Sequence, residues 1–573
     1  MATNLLDETS RVPQLIPTLL DETAALNPDK PFAEIPISPT GYDLGIRKVT
    51  YRKLANAVNA ISHWITNTLG PGERFPTISY LGPNDLSHNV VLLASIKAGY
   101  KLLLTSPRYG TIGQARLMNE TQCNHLLISS ASPSDPATAI AAEHGNLHIW
   151  TLPDLADLYD IECNFVYSKT YAQAKTEPLV VIHTSGTSGF PKPILWTHEF
   201  GYSFGRQRQL QPPTGFELLD TYMTETRMLS MCPPFHAGLL FASLFLTFYS
   251  GNTIIYPPAG LPATIATAAE VVTNSSPSVD CLFLLPVHMD ELGSDAAMVE
   301  CMVRGGVQTV VWAGGSVMQS SIDTVSTRLR LFTCLGSTET GMWPSIRHLE
   351  DRGRGEPQKD LTSLCFHPQA NIEFRRQTDD LYSAVFVRNS DPEEIQSIFC
   401  VFPDLDEFDT KDLFRHVSGT GEERFWTHHG RSDDLQMFHS GGKWHPVMTE
   451  RRILAEHQDL IQEILIIGMG LDKAVVLLEP TAKLRFELGD EGATTAKDMD
   501  GESLGQIWLT IQKINKDLPV YARVGRNQII VTDMERPMLR TGKGNVQRKQ
   551  TVKEYEREIQ SVVLIGDVQK ENY

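Results

Sequence analysis

The sequence predicts an α/β fold with a large N-terminal part and a small α+β domain at the C-terminal end. Length is the first indication, because 573 residues are too many for one hydrophobic core. The second is that short apolar runs typical of buried strands alternate with stretches of helical periodicity over the first two thirds of the chain. A charged turn at residues 430–434 interrupts this alternation, and a compact, more mixed segment follows it.

The alternation begins with helical spacing over residues 51–69 and 89–99. Further helices are predicted at residues 263–273 and 288–303. The strands predicted among them are residues 101–104, 124–129, 179–183, 252–256, 281–285, 309–312 and 331–335. Such alternation is typical of largely parallel sheets covered by helices.

From residue 381 the pattern becomes richer in strands, which are predicted at residues 384–388, 398–402 and 424–428. After the charged turn, the sequence predicts strands at 464–468, 474–478 and 528–531 and a helix at 504–517. The last stretch is charged, which is typical of a fraying helix or a linker. We therefore predict a core at residues 1–432, a second domain at 433–555 and a linker at 556–573.

Composition excludes several classes of protein. The net charge is −18, from 50 basic and 68 acidic residues, and there is no long basic tract, so nucleic acid is not the expected partner. The longest mostly apolar run, residues 239–249, is too short to cross a membrane as a helix. Eight cysteines are scattered without metal-ligand spacing, and the acidic start lacks the pattern of a signal peptide. These features predict a cytoplasmic protein.

The loop after the strand predicted at 179–183 is rich in small hydroxyl residues and glycine and ends in a lysine. Glycine lets the backbone approach an anion, and hydroxyl and N–H groups supply donors, so the loop suits a polyphosphate. It is not a GxxxxGK[ST] loop, because no glycine stands directly before the lysine. On this segment alone a solvated surface turn remains an alternative. The residues concerned are Thr184, Ser185, Gly186, Thr187, Ser188, Gly189 and Lys192.

Further motifs follow in order, at residues 233–238, 335–341, 408–413, 430–434 and 539–548. Together with the loop they resemble the adenylate-forming superfamily of acyl-CoA synthetases, luciferases and peptide-synthetase adenylation domains, from about residue 15 to about residue 560. In detail the chain is most similar to the adenylation domain of fungal, peptide-synthetase-like (NRPS-like) carboxylic acid reductases. The details are Lys192-Pro193, Ser106-Pro107-Arg108, Gly442-Lys443 and the ending Thr541-Gly542-Lys543-Gly544-Asn545-Val546-Gln547-Arg548.

The resemblance implies an adenylation core of αβ-layered subdomains with a mobile C-terminal lid. It also implies ATP and Mg²⁺, with the loop from Thr184 to Lys192 holding the β and γ phosphates. Glu339 would hold Mg²⁺, which favours one or two carboxylates plus phosphate oxygens. The nucleotide would be contacted by Thr338 at the α-phosphate, by Asp412 at the ribose and by Arg431. The chain departs from the superfamily at Leu335, where an aromatic residue is usual, and at Lys411, where glycine is usual.

Two residues are the predicted catalytic groups. By the resemblance, Lys543 reaches into the cleft from a loop of the small domain and neutralises charge as the adenylate forms. His236 lines the junction of the acyl and phosphate pockets; a satisfied loop histidine is the alternative. Asp433 matches the superfamily's hinge, about which the small domain rotates between the two half-reactions.

The resemblance also implies the walls of the acid pocket. Amino-acid-activating relatives carry an aspartate for the α-ammonium group where this chain has His236 or Ala237, so an α-amino acid is not expected. The remaining walls are apolar with one large aromatic side chain, which suits an aryl acid or a quaternary-ammonium acid such as a betaine. The pocket residues are His236, Ala237, Leu240, Leu284, Val311, Ala313, Cys334, Met342 and Trp343.

The implied function is activation of a carboxylic acid to acyl-AMP and transfer to the phosphopantetheine thiol of a carrier domain that feeds an NADPH-dependent reductase. No carrier or GxGxxG reductase motif precedes Tyr573, so those domains are expected outside this chain. A free-standing acyl-CoA ligase is one alternative, and a non-catalytic ATP-binding module is another. The sequence leaves open which acid is activated, the oligomeric state and the position of the lid.

Overall fold

The structure of the chain, a computed structural model, describes residues 13–185, 191–349, 361–378, 380–390, 395–417, 425–489, 494–495, 501–540 and 546–568. The chain divides into two compact units. The larger holds the described residues of Met1–Thr184, Pro191–Thr410 and Arg415–His428, and the smaller holds those of Ser185–Phe190, Lys411–Phe414 and His429–Tyr573.

The strands are numbered in chain order. They are β1 (Pro31–Pro36), β2 (Ile46–Thr50), β3 (Thr77–Leu81), β4 (Lys101–Leu103), β5 (His125–Ile128), β6 (His148–Thr151), β7 (Pro178–Ser185), β8 (Pro191–Thr197), β9 (Phe216–Leu218), β10 (Arg227–Ser230), β11 (Thr253–Ile255), β12 (Cys281–Leu284), β13 (Thr309–Ala313), β14 (Arg330–Cys334), β15 (Gly336–Ser337), β16 (Gly341–Met342), β17 (Ser345–His348), β18 (Ser363–Phe366), β19 (Ile372–Arg376), β20 (Tyr382–Val387), β21 (Glu407–Val417), β22 (Phe425–Arg431), β23 (Gln436–Met437), β24 (Lys443–Trp444), β25 (Ile461–Ile467), β26 (Val475–Pro480), β27 (Thr494–Thr495) and β28 (Ile529–Val531).

The α-helices are numbered in the same way. They are α1 (Ile16–Leu26), α2 (Tyr51–Leu69), α3 (Ser87–Lys97), α4 (Gly110–Glu120), α5 (Asp135–His144), α6 (Leu155–Leu158), α7 (Tyr171–Ala174), α8 (His198–Gln207), α9 (Ala237–Leu240), α10 (Leu246–Ser250), α11 (Ile265–Asn274), α12 (Pro286–Gly293), α13 (Ala296–Arg304), α14 (Gln319–Ser326), α15 (Ile398–Val401), α16 (Val447–Glu456), α17 (Ala482–Leu488), α18 (Glu502–Asn515), α19 (Arg548–Glu554) and α20 (Glu556–Val568).

Two mainly parallel sheets form the layered part of the larger unit. One has the strand order β14-β13-β12-β10-β11-β1-β2, and the other has the order β6-β5-β3-β4-β7-β8. A single cluster of buried side chains includes residues from both sheets together with α2, α3 and α8. The outer face of the first sheet is buried by α11 to α14, and that of the second by α4 and α5. The predicted α/β class, with helix and sheet layers, is confirmed.

A third sheet is built mainly from later strands, and most of its residues belong to the larger unit. Its order is β19-β20-β21-β22-β18-β17-β9. The strand pairs β19·β20, β18·β22, β17·β18 and β17·β9 are all antiparallel. This sheet accounts for the strand-rich pattern after residue 381, because hairpin connections replace the helical crossovers that parallel strands require.

The smaller unit has its own core around the sheet β25-β26-β28-β27. One face packs against α16 and α18, and the other against α20. The stretch predicted as a linker, residues 556–573, therefore needs correction over its described part. Ile559 and Val562 of α20 are buried against the sheet, because they lie on one face of the helix at a spacing of three residues.

Two of the predicted elements are wrong. Residues 398–402 were expected to form a strand but form the short helix α15, whose Ile398 is fully buried and whose preceding Ser397 donates to the carbonyl oxygen of Thr340 at 3.1 Å. Tertiary contacts override the β-propensity of this run. The helix expected at 288–303 is two helices, because Asp295 caps α13 by accepting from the N–H groups of Ala297 and Met298.

Other elements follow the sequence closely. Helix α2 has the bounds predicted for it, and the Thr50 side chain caps it by accepting from the N–H of Lys53. Across the part of the chain that the structure describes, no helix combines the length and apolar character needed to span a bilayer.

Candidate active site

A tight hairpin turn carries two of the predicted nucleotide ligands. Strands β15 and β16 pair antiparallel, with Gly336 opposite Met342, and Thr338 and Glu339 stand in the turn between them. A side chain at position 336 would place its Cβ 2.5 Å from the carbonyl oxygen of Gly341, so glycine is required for this approach. Gly341 has φ of +63°, a left-handed conformation that glycine adopts without strain.

The side chain of Thr340 fixes the shape of this turn. Its Oγ1 accepts from the N–H of Ser337 at 3.1 Å and from the indole Nε1 of Trp343 at 2.9 Å. The N–H of Thr340 in turn donates to the hydroxyl of Ser337 at 3.1 Å. These hydrogen bonds among residues 337–343 reinforce one another and hold the shape of the turn.

Glu339 presents a carboxylate that the described protein leaves open. Its side chain is half-buried, whereas the neighbouring Thr338 is 3% exposed. Among the described residues, the carboxylate of Glu339 makes neither a hydrogen bond nor an ion pair. The described residues also contain no group of three or more His, Cys, Asp and Glu side chains arranged to hold a metal. A single protein carboxylate suits a hard cation such as Mg²⁺, because this ion can take its remaining oxygen ligands from phosphate and water.

Trp196 ties the turn to the strand that follows the Ser/Thr/Gly loop. Its indole Nε1 donates to the carbonyl oxygen of Thr338 at 2.8 Å. The Trp196 ring is 1% exposed and stacks on Phe200 with 4.3 Å between ring centroids. Strand β8, which carries Lys192 and Trp196, is thereby held against the turn that carries Glu339.

The two ends of the predicted phosphate loop are described, and its middle is not. Thr184 is half-buried near the end of β7, and Lys192 is exposed near the start of β8, the neighbouring strand. The backbone of Ser185 ends β7. Gly186, Thr187, Ser188 and Gly189 lie outside the described residues.

A tyrosine and a histidine meet directly before this loop. The hydroxyl of Tyr109 and Nδ1 of the buried His183 are 2.9 Å apart, and the two rings lie edge to face. Burial raises the pKa of Tyr109 to about 12, so its hydroxyl is protonated at neutral pH and can donate to His183. This pair braces the end of β7 next to Thr184.

His236 caps a helix. Its Nδ1 accepts from the N–H of Gly238 at 2.9 Å, and α9 begins at the next residue, Ala237. Since Nδ1 is an acceptor in a neutral ring, the proton is assigned to Nε2. If His236 lines the junction of the acyl and phosphate pockets, as predicted, Nε2 is the ring nitrogen that can contact a ligand there.

Sheet register separates the predicted acid-pocket residues into two groups. In the sheet register, Phe283 lies opposite Val311, and Ala313 lies opposite Cys334. The buried cluster that includes residues of both sheets contains Phe283, Val311 and Cys334. Leu284 is buried in the cluster on the opposite face. Alternation along β12 thus gives Leu284 and Phe283 to opposite faces of the sheet, and the assignment of Leu284 to the acid pocket stays a prediction.

A cavity of about 50 Å³ lies beside the turn in the larger unit. It is lined by three predicted pocket residues, Cys334, Met342 and Trp343. Trp343 also packs against Phe366 and Phe386, so other rings cover part of its indole. The predicted residues His236, Ala237, Leu240, Leu284, Val311 and Ala313 are not among the described residues that line it.

The predicted ribose ligand lies in the smaller unit. The Asp412 carboxylate is 14% exposed, and its Oδ1 is 3.9 Å from Nη1 of Arg431 on β22. Nη2 of Arg431 is 3.7 Å from Oδ2 of Asp433, the predicted hinge residue. The preceding Lys411 has φ of +65°. Glycine adopts this left-handed conformation without strain, which explains why glycine is usual at this position in the superfamily.

Lys543 lies outside the described residues, but Arg540 and Val546 on either side of it are described. Arg540 pairs with Val546 across a single bridge, and it forms ion pairs with Glu479 and Glu463. Burial raises the pKa of both carboxyls, and Arg540 opposes this shift. The base of the predicted catalytic loop is therefore anchored to the sheet of the smaller unit.

Sequence reasoning missed Tyr109, His183 and Trp196 as positioning residues. Tyr109 directly follows the Ser106-Pro107-Arg108 motif, and His183 directly precedes the loop, so proximity to motifs was the available signal. Trp196 had no such signal, because its partner Thr338 is 142 residues away in the chain.

Comparison with known proteins gives two family matches. Residues 20–371 match the family described as AMP-binding enzyme, and residues 433–563 match the AMP-binding enzyme C-terminal domain.

Three individual proteins illustrate the similarity. The chain is 26% identical to a carboxylic acid reductase of Neurospora crassa, over 96% of this chain and 50% of the relative. It is 28% identical to the isocyanide synthase-NRPS hybrid crmA of Aspergillus fumigatus, over 95% of this chain and 33% of the relative. The chain thus spans half or less of the length of these relatives. The structure of O-succinylbenzoate coenzyme A synthetase (MenE) of Bacillus subtilis, in complex with ATP and magnesium, matches with a TM-score of 0.64 at 14% identity, covering 93% of this chain and 98% of that one, which establishes the fold.

Proposed function

The chain belongs to the AMP-binding enzyme family, and from this premise we propose that it activates a carboxylic acid with ATP to form an acyl-adenylate and pyrophosphate. A carboxylate oxygen attacks the α-phosphorus, the new P–O bond forms, and pyrophosphate departs with the electron pair of the bond that breaks. Both reactants are anions, so the protein must offset their charge and hold them in line.

The observation that carries this proposal is the fixed turn at Thr338 and Glu339. Its shape is held by Thr340, and the Trp196 indole joins it to strand β8. A ligand set that must meet a polyphosphate benefits from such a support, because small displacements of reacting groups lower the rate strongly. A plain surface turn needs no such network.

We propose a contact for each part of the nucleotide. The residues from Thr184 to Lys192 hold the β and γ phosphates, and Thr338 contacts the α-phosphate. Asp412 accepts hydrogen bonds from the ribose hydroxyls, and Arg431 orients that carboxylate across 3.9 Å. Lys543 supplies positive charge as the α-phosphate is attacked.

The open carboxylate of Glu339 fits Mg²⁺, which prefers carboxylate, phosphate and water oxygens. When bound, this ion neutralises part of the phosphate charge. Glu339 needs no proton transfer in this role. The hydrogen bonds of Thr340 hold the backbone of the turn that carries it.

The second half-reaction is proposed as attack of a phosphopantetheine thiol on the acyl carbonyl, with AMP as leaving group. The fungal relatives include a carboxylic acid reductase of which this chain spans half, which supports a carrier domain and an NADPH-dependent reductase outside the chain. The likeness to a coenzyme A synthetase favours free CoA as the alternative acceptor.

The acid is proposed to lack an α-ammonium group, since His236 and Ala237 offer no carboxylate to pair with one. An aryl acid and a betaine are the two substrates that Trp343 would favour by stacking or by a cation–π contact.

The test is ATP–pyrophosphate exchange over a panel of aryl acids, straight-chain acids, hydroxy acids and betaines. Exchange with at least one acid is expected. Normal ATP binding without exchange for any acid would leave the non-catalytic ATP-binding module as the answer. Thioester formation with CoA alone, compared with a phosphopantetheinylated carrier domain, then separates ligase from carrier-dependent activity.

A further inference from the structure

Aromatic rings form one part of the wall of the cavity beside the Thr338–Glu339 turn. Helices α9 and α10 are joined by a π-helical turn, Phe241–Phe245, within one continuous helix. This turn and α10 bring the rings of Phe241, Phe245 and Tyr249 to the cavity. Single π-helical turns of this kind are rare and occur frequently at functional sites.

One part of the wall is polar, and it was not anticipated from the sequence. Arg208 follows α8, Asp220 lies in the 3₁₀ turn Leu219–Met223, and Ser250 ends α10. Nη1 of Arg208 donates to the carbonyl oxygen of Tyr249 at 3.0 Å, which holds the guanidinium next to Ser250 in the chain. Three separate segments of the chain thus meet in one part of the cavity wall.

The hydroxyl of Ser250 is buried without a hydrogen-bond partner among the described residues, and the residue is 5% exposed. Leaving such a group unpaired costs about 1–3 kcal/mol, so native structures rarely retain one without a ligand or water. The hydroxyl therefore marks a position where a polar atom of a ligand would be stabilised.

The charged groups of the lining balance each other. Arg208 and Asp220 are the only charged side chains among the described residues that line the cavity, and their Nε and Oδ2 atoms are 4.0 Å apart. This separation exceeds a hydrogen bond, so the pair leaves room for a group that donates to one and accepts from the other. An added cation or anion would instead leave an uncompensated charge in a desolvated space.

The volume of the cavity limits the size of the chemical group that it can hold. The cavity measures about 50 Å³, whereas an engineered cavity that binds benzene measures about 150 Å³. A six-membered ring would require the walls to move, while a hydroxymethyl group would not.

We propose that this cavity receives the distal end of the activated acid and selects an acid that ends in a neutral hydroxyl group. The hydroxyl donates to Asp220 and accepts from Arg208 or from Ser250, and the alkyl chain packs against Phe241, Phe245 and Trp343. This inference rests on the proposed function, because it assigns the substrate class of the same acid pocket. It sets aliphatic hydroxy acids above both aryl acids and betaines.

The experiment measures ATP–pyrophosphate exchange with matched acids. For each chain length from four to eight carbons, a straight-chain acid is compared with its ω-hydroxy, ω-trimethylammonio and ω-carboxylate counterparts, with benzoate and 4-hydroxybenzoate as an aryl pair. At the best chain length, kcat/KM for the ω-hydroxy acid is expected to exceed that for the parent acid by about 10–100-fold, as for hydrogen bonds to charged groups.

Ser250→Ala and Asp220→Asn assign that preference to the cavity. Each is expected to reduce the hydroxyl preference at least about tenfold, with a smaller effect on the parent acid. Ser203→Ala is the matched control, because Ser203 is buried on α8, donates to the carbonyl oxygen of Phe200 at 2.7 Å and does not line the cavity. Thermal midpoints of all three variants identify any loss caused by unfolding.

The outcomes separate this inference from the function on which it rests. Exchange with no acid would remove the proposed function itself. Exchange with equal preference for hydroxylated and parent acids, or with preference for the cationic, anionic or aryl members, would leave that function standing and overturn the inference. A hydroxyl preference that survives both Ser250→Ala and Asp220→Asn would overturn it as well.

Discussion

Glu339 is the residue that we propose as the metal ligand, and its surroundings bear on that role. An open carboxylate on a flexible loop would swing toward the nearest cation, but the turn that bears Glu339 is fixed by the contacts of Thr340. Fixing the carboxylate before the ligand arrives lowers the conformational entropy lost on binding. The half-buried position also strengthens its attraction to a cation relative to bulk water.

Glu339→Gln is therefore expected to lower adenylation by on the order of 10²-fold and to raise the Mg²⁺ concentration needed for half-maximal exchange by about tenfold or more. The measurement is exchange rate against Mg²⁺ concentration at fixed ATP. Glu339→Asp, which keeps the charge on a shorter side chain, should recover part of the loss. An unchanged Mg²⁺ dependence in Glu339→Gln would remove this residue from the metal site.

Lys543→Ala is expected to lower the adenylation rate by on the order of 10²–10³-fold, as loss of one preorganised donor at a developing charge does. Thioester formation from pre-made acyl-adenylate should remain close to wild type, because the α-phosphate is no longer attacked in that step. The measurement is the pair of half-reaction rates. Adenylation at the wild-type rate would mean that Lys543 is a solvated charge, and equal loss in both steps would indicate misfolding of the small domain.

At the scale of elements, strand β8 is joined to the Thr338–Glu339 turn by the hydrogen bond from the indole of Trp196. Trp196→Phe keeps an aromatic ring that can stack on Phe200 but leaves the carbonyl oxygen of Thr338 without its donor. We expect kcat/KM for ATP to fall by about tenfold, since this removes one buried hydrogen bond and loosens the turn.

Trp426→Phe is the matched control for that prediction. Trp426 is also buried, and it stacks on Phe374 at 3.7 Å, but it lies in the third sheet. Its substitution should lower stability without changing the kinetics with ATP. Equal effects of the two substitutions on kcat/KM for ATP would mean that Trp196 contributes packing alone.

Helices α16 and α19 of the smaller unit are joined by a buried ion pair. Arg548 donates to both carboxylate oxygens of Glu450, at 2.8 and 2.7 Å, and Glu450 also accepts from the N–H of Ile466. Glu450→Gln should destabilise this unit by about 3–5 kcal/mol, because it leaves a buried guanidinium without its main counter-charge. The measurement is denaturant unfolding, and Asp459→Asn, which breaks the exposed pair with Lys483, should have no measurable effect. Similar loss in both variants would contradict a special role for the buried pair.

The elements also indicate what sequence can and cannot predict here. Helix α2 was predictable, because one apolar face and a threonine cap specify it locally. Helix α15 was not, because its apolar, β-branched run resembles a strand and only its tertiary surroundings make it helical. In the site, Glu339 and Asp412 belong to ordered motifs. Arg208, Asp220 and Ser250 share no motif, and only folding brings these segments together.

At the scale of the whole molecule, the chain has two compact units, and the proposed function assigns two half-reactions to it. The division into two units falls at His428 and His429, close to the predicted hinge at Asp433. Asp433 lies in the short 3₁₀ turn Ser432–Asp434, where it faces Arg431 across 3.7 Å. A hinge needs only a few residues that can change φ and ψ, and the predicted hinge residue lies in such a short turn, near the start of the long C-terminal segment of the smaller unit.

Asp433→Pro should fix φ at this residue near −65° and also restrict the residue before it. If the small domain rotates about Asp433, the substitution will favour one arrangement, and one half-reaction will lose far more rate than the other. Asp433→Ala removes the same carboxylate and its contact with Arg431 but leaves φ free, so it should impair both steps little and equally. The measurement is the rate of adenylation and, separately, of thioester formation from pre-made acyl-adenylate in both variants. Equal loss of the two rates in Asp433→Pro, or no loss, would place the hinge elsewhere. A matching asymmetry in Asp433→Ala would assign the effect to the carboxylate instead of the backbone.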